Sequence, residues 1–217
     1  MGLVAFLGVG VALNELVTKV IPSVPQERVE NYLLYLRRRL DNLSEEQLRQ
    51  RFQHSPAVGL VEEGIFQAVR ALSDERREQI ANAVADGLSG SEIELIEARR
   101  VLSVFKELDE AHIIILCSLL SKNRSMEFRE RHRSILESPQ AHLNSGRDEF
   151  DRSVAYRAGN HKSLSPGLLE RKFANSKPGT SPEFDAKKGM MKSYGKGIST
   201  YGLLFLRAIG SADSDDF

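Results

Sequence analysis

The sequence predicts a mainly α protein: an N-terminal helical bundle over residues 1–121, then a basic part over 122–210 carrying a small β hairpin, with an acidic, frayed tail at 211–217. Three observations predict this. Helix-start signals recur at short intervals through the first half. Leucines fall at heptad spacing between two of those signals. After Ser121 the texture changes to stretches rich in charge, glycine, proline and lysine. At 217 residues the chain is long enough for one sizeable core or two small domains.

Residues 3–21 begin apolar all round and acquire a polar stripe at Asn14, Glu15, Thr18 and Lys19 before Pro22 and Pro25 end the element. Val29, Leu33, Leu36, Leu40 and Leu43 then form a heptad seam. At under three heptads it predicts packing within a bundle rather than a free coiled coil. Ser44-Glu-Glu-Gln47 has capping-box spacing and opens a short helix. Ser55-Pro56 places an N-cap and a proline at the first turn of a helix over 56–72. Ser73-Asp-Glu opens 74–86 with Gly87 as its stop, Ser91-Glu-Ile-Glu94 opens 92–106, and Asp109 caps a buried helix over 110–121.

In the second half, Lys122 to Arg133 is highly charged, and 147–158 predicts a modest amphipathic helix using Phe150, Val154 and Ala158. Residues 159–165 and 175–189 read as loops, and Ser165-Pro166 predicts a short helix running to Phe173. A glycine-broken basic ribbon, Lys192 with Gly195, Lys196 and Gly197, leads through Ile198-Ser-Thr-Tyr201 into an apolar run, Leu203 to Ile209, that predicts a final helix. A basic hairpin running into a last helix is winged-helix-like.

The formal net charge of zero hides an asymmetry: residues 1–121 carry 13 basic against 18 acidic side chains, and 122–210 carry 17 against 9. This points either to different partners for the two halves or to attraction between the halves, within one chain or head to tail in an oligomer. The single cysteine, Cys117, sits in an apolar run, so a disulfide within the chain is excluded and a reducing cytoplasm is expected. The start lacks the basic region of a secretory signal, and the apolar run Leu3 to Leu13 is shorter than the roughly 20 residues that span a bilayer. Peripheral attachment at an inner membrane remains open to that helix.

No grouping in the chain predicts catalysis. His54, His112, His132, His142 and His161 are scattered without metal-ligand spacing. Gly87-Leu-Ser-Gly90 departs from a nucleophile elbow because Ser91 stands where glycine is needed. Gly189 to Lys196 departs from a phosphate loop in spacing, with Gly197 where Ser or Thr should follow. The sequence therefore predicts no catalytic residues, no metal, no cofactor and no small-molecule substrate.

Two surfaces remain. Arg171, Lys172, Lys187, Lys188, Lys192 and Lys196 are the candidates for binding nucleic acid or an acidic partner, with 165–174 in the place of a recognition helix. That segment offers only Glu170, Arg171 and Lys172 as long polar groups, which is poor material for reading bases. Leu3, Phe6, Leu7, Val11, Leu33, Leu36 and Leu40 are the candidates for oligomer or membrane contact.

The run Ser73 to Ser89, continued by Glu97-Ala-Arg-Arg-Val-Leu and Leu108 to Leu116, resembles the helical core of bacterial proteins of the abortive-infection alpha type. Ile198-Ser-Thr-Tyr-Gly202 is similar to the Leu-Thr-Pro-x-Gly pattern at their winged-helix-like end, with Ser199 for the threonine and Thr200 for the proline. The likeness covers roughly 56–121 and 198–209. It implies a non-enzymatic bacterial protein connected with phage defence and supplies no catalytic residues. The leading expectation is therefore an oligomerising interaction or adaptor protein. A nucleic-acid-binding regulator using the basic half and a membrane-acting effector using the first helix are the alternatives.

Overall fold

The protein is described by a computed structural model, which covers residues 26–137, 146–151, 153–154, 167–173, 184–186, 189–213 and 215–216. The apolar start and its candidates Leu3, Phe6, Leu7 and Val11 lie outside the described residues, as do Lys187 and Lys188. The chain is mainly helical, with a small antiparallel sheet near its C-terminal end. It forms two compact units: one comprises the chain up to Glu107 plus Arg207–Ser211, and the other comprises Leu108–Leu206 plus Ala212–Phe217.

The first unit begins with α1 (Gln26–Arg39), whose buried seam is Val29, Tyr32, Leu33, Leu36 and Leu40. The seam packs on neighbours within the bundle, as its short length requires. Helix α2 (Glu45–Phe52) opens with the Ser44 capping box: the Gln47 N–H donates to Ser44 Oγ at 3.2 Å and the Ser44 N–H to Gln47 Oε1 at 2.8 Å. Helix α3 (Ser55–Arg70) starts one residue before the sequence predicts and stops short of 72, with His54, not Ser55, at the N-cap. Pro56 fixes that start, because its missing N–H costs nothing in a first turn.

Helix α4 (Asp74–Ser89) is the centre of the unit and packs against α1, α3 and α5 (Glu92–Phe105). Ile80, Ala81, Ala83, Val84, Ala85 and Leu88 are all buried, and with Arg77, Gln79 and Asn82 also buried the helix is covered around most of its girth. Its small residues let three neighbours come close. Gly87, expected to stop the helix, lies inside it: a Cβ there would meet Ala98 Cβ at 2.5 Å and Leu60 Cδ2 at 2.7 Å. Tight packing, rather than chain reversal, is what places glycine there. The helix ends at Gly90, where the Arg51 guanidinium donates to the carbonyl. Arg207–Ser211 complete this unit, and Asn82 Nδ2 donates to the Ile209 carbonyl at 3.1 Å.

The second unit opens with α6 (Glu110–Cys117), capped by Asp109 and ending four residues before the expected limit. Short exposed helices follow, α7 (Met126–Arg131) and α8 (Arg133–Leu136). Residues 147–151 and 153–154 are helical, with Phe150 and Val154 largely exposed, and Ala158 lies outside the described residues. Residues Leu169–Phe173 are not a helix. They form strand β1, antiparallel to β4 (Ser193–Ile198), while β2 (Phe184–Asp185) pairs with β3 (Met190–Met191) around a turn at Gly189. The final helix, α9 (Thr200–Ala208), forms where the apolar run predicts it.

Candidate functional site

The basic residues gather on the β1–β4 ribbon. Its register sets Leu169 opposite Ile198, Glu170 opposite Gly197, Arg171 opposite Lys196 and Lys172 opposite Gly195, with an irregularity between Lys172 and Phe173. Residues directly opposite in an antiparallel pair share a face. One face therefore runs from an apolar end, buried Leu169 beside half-buried Ile198, to a charged end at Arg171 and Lys196, both exposed. The opposite face carries Glu170 and Lys172 against two glycines. A Cβ at Gly197 would collide with the Lys172 side chain, so that stem lies across the glycine. Gly195 has open space where a Cβ would stand, and Phe173 at the strand end is 42% exposed.

The ribbon is anchored at its apolar end. Ser199 Oγ donates to the Gly167 carbonyl at 2.6 Å and accepts from the Gly202 N–H at 2.9 Å, so one hydroxyl ties the start of β1 to the first turn of α9. The Ser199 N–H also donates to the Leu168 carbonyl at 3.0 Å. Gly202 is needed because a Cβ would run into that same Leu168 carbonyl. The Ser199-Thr-Tyr-Gly202 stretch therefore fixes the apolar end of the ribbon, from which the charged end extends.

Of the sequence candidates, Arg171, Lys172 and Lys196 are brought together on this ribbon, and exposed Lys192 stands immediately before β4. Arg171 and Lys172 stand on a strand, which removes the expected recognition helix. Leu33, Leu36 and Leu40 are buried inside the helical unit. Among the described residues, no helix is long and apolar enough to cross a membrane, and no three His, Cys, Asp or Glu side chains gather as a metal site.

Two of the described histidines serve local structure. His112 is buried, its Nδ1 is 2.6 Å from Asp109 Oδ1, and the two residues cap α6 together. His132 packs against the Phe128 ring at 4.7 Å between centroids. Burial raises the Asp86 carboxyl pKa, and Glu94 adds to this against the pull of Arg39.

Sequence reasoning missed a cleft of about 480 Å³ in the helical unit, lined by Glu63, Phe66, Gln67, Arg70, Arg76 and Lys106 around Ile80. The i, i+3, i+4, i+7 spacing of Glu63, Phe66, Gln67 and Arg70 puts them on one face of α3. That was the available signal. No known protein family, no curated protein and no solved structure matches this chain.

Proposed function

We propose that this chain acts by binding: a non-enzymatic bacterial interaction protein of adaptor type, connected with phage defence, that docks an acidic protein partner through the β1–β4 ribbon. The observation that carries the reading is Arg171 set directly opposite Lys196 on an exposed two-stranded ribbon. This sets two exposed basic side chains side by side, and a carboxylate cluster docking on that face gains charge-assisted hydrogen bonds from them. Exposed Phe173 adds apolar contact at the same end. The ribbon running into α9 supports a winged-helix-like reading of the C-terminal part, and the phage-defence setting rests on the resemblance over 56–121 and 198–209.

One observation favours a second reading, a nucleic-acid-binding regulator. A two-stranded ribbon has the dimensions to enter the major groove, and Arg171, Lys172, Lys192 and Lys196 are phosphate-binding residue types. With a strand in place of the recognition helix, such binding follows shape and charge with little base preference.

Fluorescence anisotropy with a labelled polyglutamate peptide and with a random-sequence duplex DNA separates the two. The leading reading expects the peptide to bind, and an Arg171→Gln, Lys196→Gln double variant to lose about tenfold or more in affinity. Tighter binding to the duplex, with a salt slope matching three to four phosphates, transfers the assignment to nucleic acid. Failure to bind either probe, or binding indifferent to the double variant, overturns both.

A further inference from the structure

The cleft in the helical unit has a composition that the ribbon does not explain. Its α3 wall is Glu63, Phe66, Gln67 and Arg70, its floor is buried Ile80, and α4 and the end of α5 contribute Arg76 and Lys106. Three cations and one carboxylate face a volume of about 480 Å³, within the roughly 300–1,000 Å³ range of small-molecule sites. The one carboxylate is engaged: Gln67 Nε2 donates to Glu63 Oε1 at 2.8 Å and to the Leu102 carbonyl at 2.9 Å, which also ties α3 to α5.

The cations differ in how they are held. Arg76 is half-buried, its guanidinium lies 3.8 Å from the Phe105 ring centroid, and its Nη2 donates to the Phe105 carbonyl. With Nη1 buried as well, this guanidinium fixes a positive charge behind the cleft and leaves the hydrogen bonding to the rim. Arg70 and Lys106 are exposed at the rim. Phe66, 44% exposed, presents a ring beside them.

We propose that this cleft binds a small aromatic anion, a phosphate-bearing ring of mononucleotide size. The phosphate is held by the exposed Arg70 and Lys106, the buried guanidinium of Arg76 adds its charge from behind, and the ring is stacked on Phe66. A guanidinium from α3 and an ammonium from the end of α5 on one cleft suit a compact polyanion, since Arg supplies a planar fork and Lys a mobile point charge. A ring stacked on an exposed phenyl gains dispersion and covers apolar surface. Ile80 and the methylene stems of Arg70 and Lys106 supply the apolar lining that an inorganic anion does not need.

Isothermal titration calorimetry of the full chain, with adenosine monophosphate, adenosine and inorganic phosphate as probes, tests the assignment. Adenosine monophosphate is expected to bind at least tenfold more tightly than either adenosine or phosphate, because each of those keeps half of the contacts. Arg70→Gln and Lys106→Gln, exposed positions whose change should leave the melting temperature unmoved, each weaken the nucleotide about fivefold to tenfold. Phe66→Ala removes the advantage of the nucleotide over phosphate. The ribbon variant Arg171→Gln, Lys196→Gln leaves the affinity unchanged. Equal binding of adenosine and its monophosphate, no heat at about 5 mM nucleotide, or loss of binding in the ribbon variant alone overturns the proposal.

Discussion

Gly59 and Gly64 stand on the same helix, and the atoms around them give alanine opposite effects at the two positions. A Cβ at Gly59 meets nothing closer than Arg99 Nη2 at 4.0 Å, whereas one at Gly64 meets the Tyr32 hydroxyl and, at 2.7 Å, Val84 Cγ2. Alanine is the better helix former by about 1 kcal/mol, so Gly59→Ala should stabilise the protein by up to that amount. Gly64→Ala gains the same propensity but overpacks a buried contact between α1, α3 and α4, and a net loss of about 1–3 kcal/mol is expected. Tyr32 enters the same account. Its ring is fully buried, burial pushes its hydroxyl pKa far above the ordinary value, and the hydroxyl has no hydrogen-bond partner among the described residues. Tyr32→Phe should therefore raise stability by about 1 kcal/mol and recover part of the Gly64→Ala loss, since Val84 still obstructs. Urea midpoints at constant slope for the four variants decide this. A destabilising Gly59→Ala, or strict additivity of the pair, contradicts it.

At the scale of an element, α6 depends on its cap more than the longer helices do. It is eight residues long and buries His112, Ile113 and Leu116. Asp109 accepts from the His112 N–H at 3.0 Å and faces the His112 ring nitrogen at 2.6 Å. Burial pulls the Asp109 carboxyl upward, but the His112 N–H, the His112 ring and the Ala111 N–H outweigh it and hold the pKa below the ordinary value. A carboxyl depressed in the folded state gives stability that is present above its unfolded pKa, near 3.9, and is lost as pH falls through the folded value. Asp109→Ala should accordingly cost about 1 kcal/mol at pH 7, a modest figure because the carboxylate is largely solvated, and the deficit should shrink below about pH 4. Guanidinium melts at pH 7 and pH 3 read the difference, and a deficit that grows on acidification contradicts the assignment.

The same elements show what was legible. Capping at Ser44, Ser73, Ser91 and Asp109 was readable because it is written within four residues. Strand β1 was not. Its burial pattern, one buried residue followed by four exposed, has no period-two alternation, and its partner Ser193–Ile198 lies too far along the chain for a local window. The basic residue types of the ribbon were visible in composition, but their facing arrangement follows only from the register.

At the scale of the whole molecule, the first unit is not contiguous in sequence. Ile209 is fully buried, its carbonyl accepts from Asn82 at 3.1 Å, and Gln79 Nε2 donates to Ser211 Oγ at 3.2 Å. Between those bonds Gly210 takes a left-handed turn, φ 72°, with Asn82 packed where a side chain would begin. Nothing local in Gly210-Ser211 predicts that it packs on a helix more than a hundred residues earlier, because the reason lies on α4. A fragment of residues 1–107 therefore loses the hydrogen bonds made by Gln79 and Asn82 to the returning segment and exposes the apolar surface that Ile209 covers. Those losses, an isoleucine's burial and two hydrogen bonds, amount to about 3–6 kcal/mol, a large fraction of a domain's stability. The fragment should melt well below the intact chain, and a peptide of residues 200–213 added in trans should raise its melting temperature, an effect abolished by Asn82→Ala. Circular dichroism melts with and without peptide make the measurement. A fragment as stable as the intact protein and indifferent to the peptide would show that the bundle is complete without its returning segment.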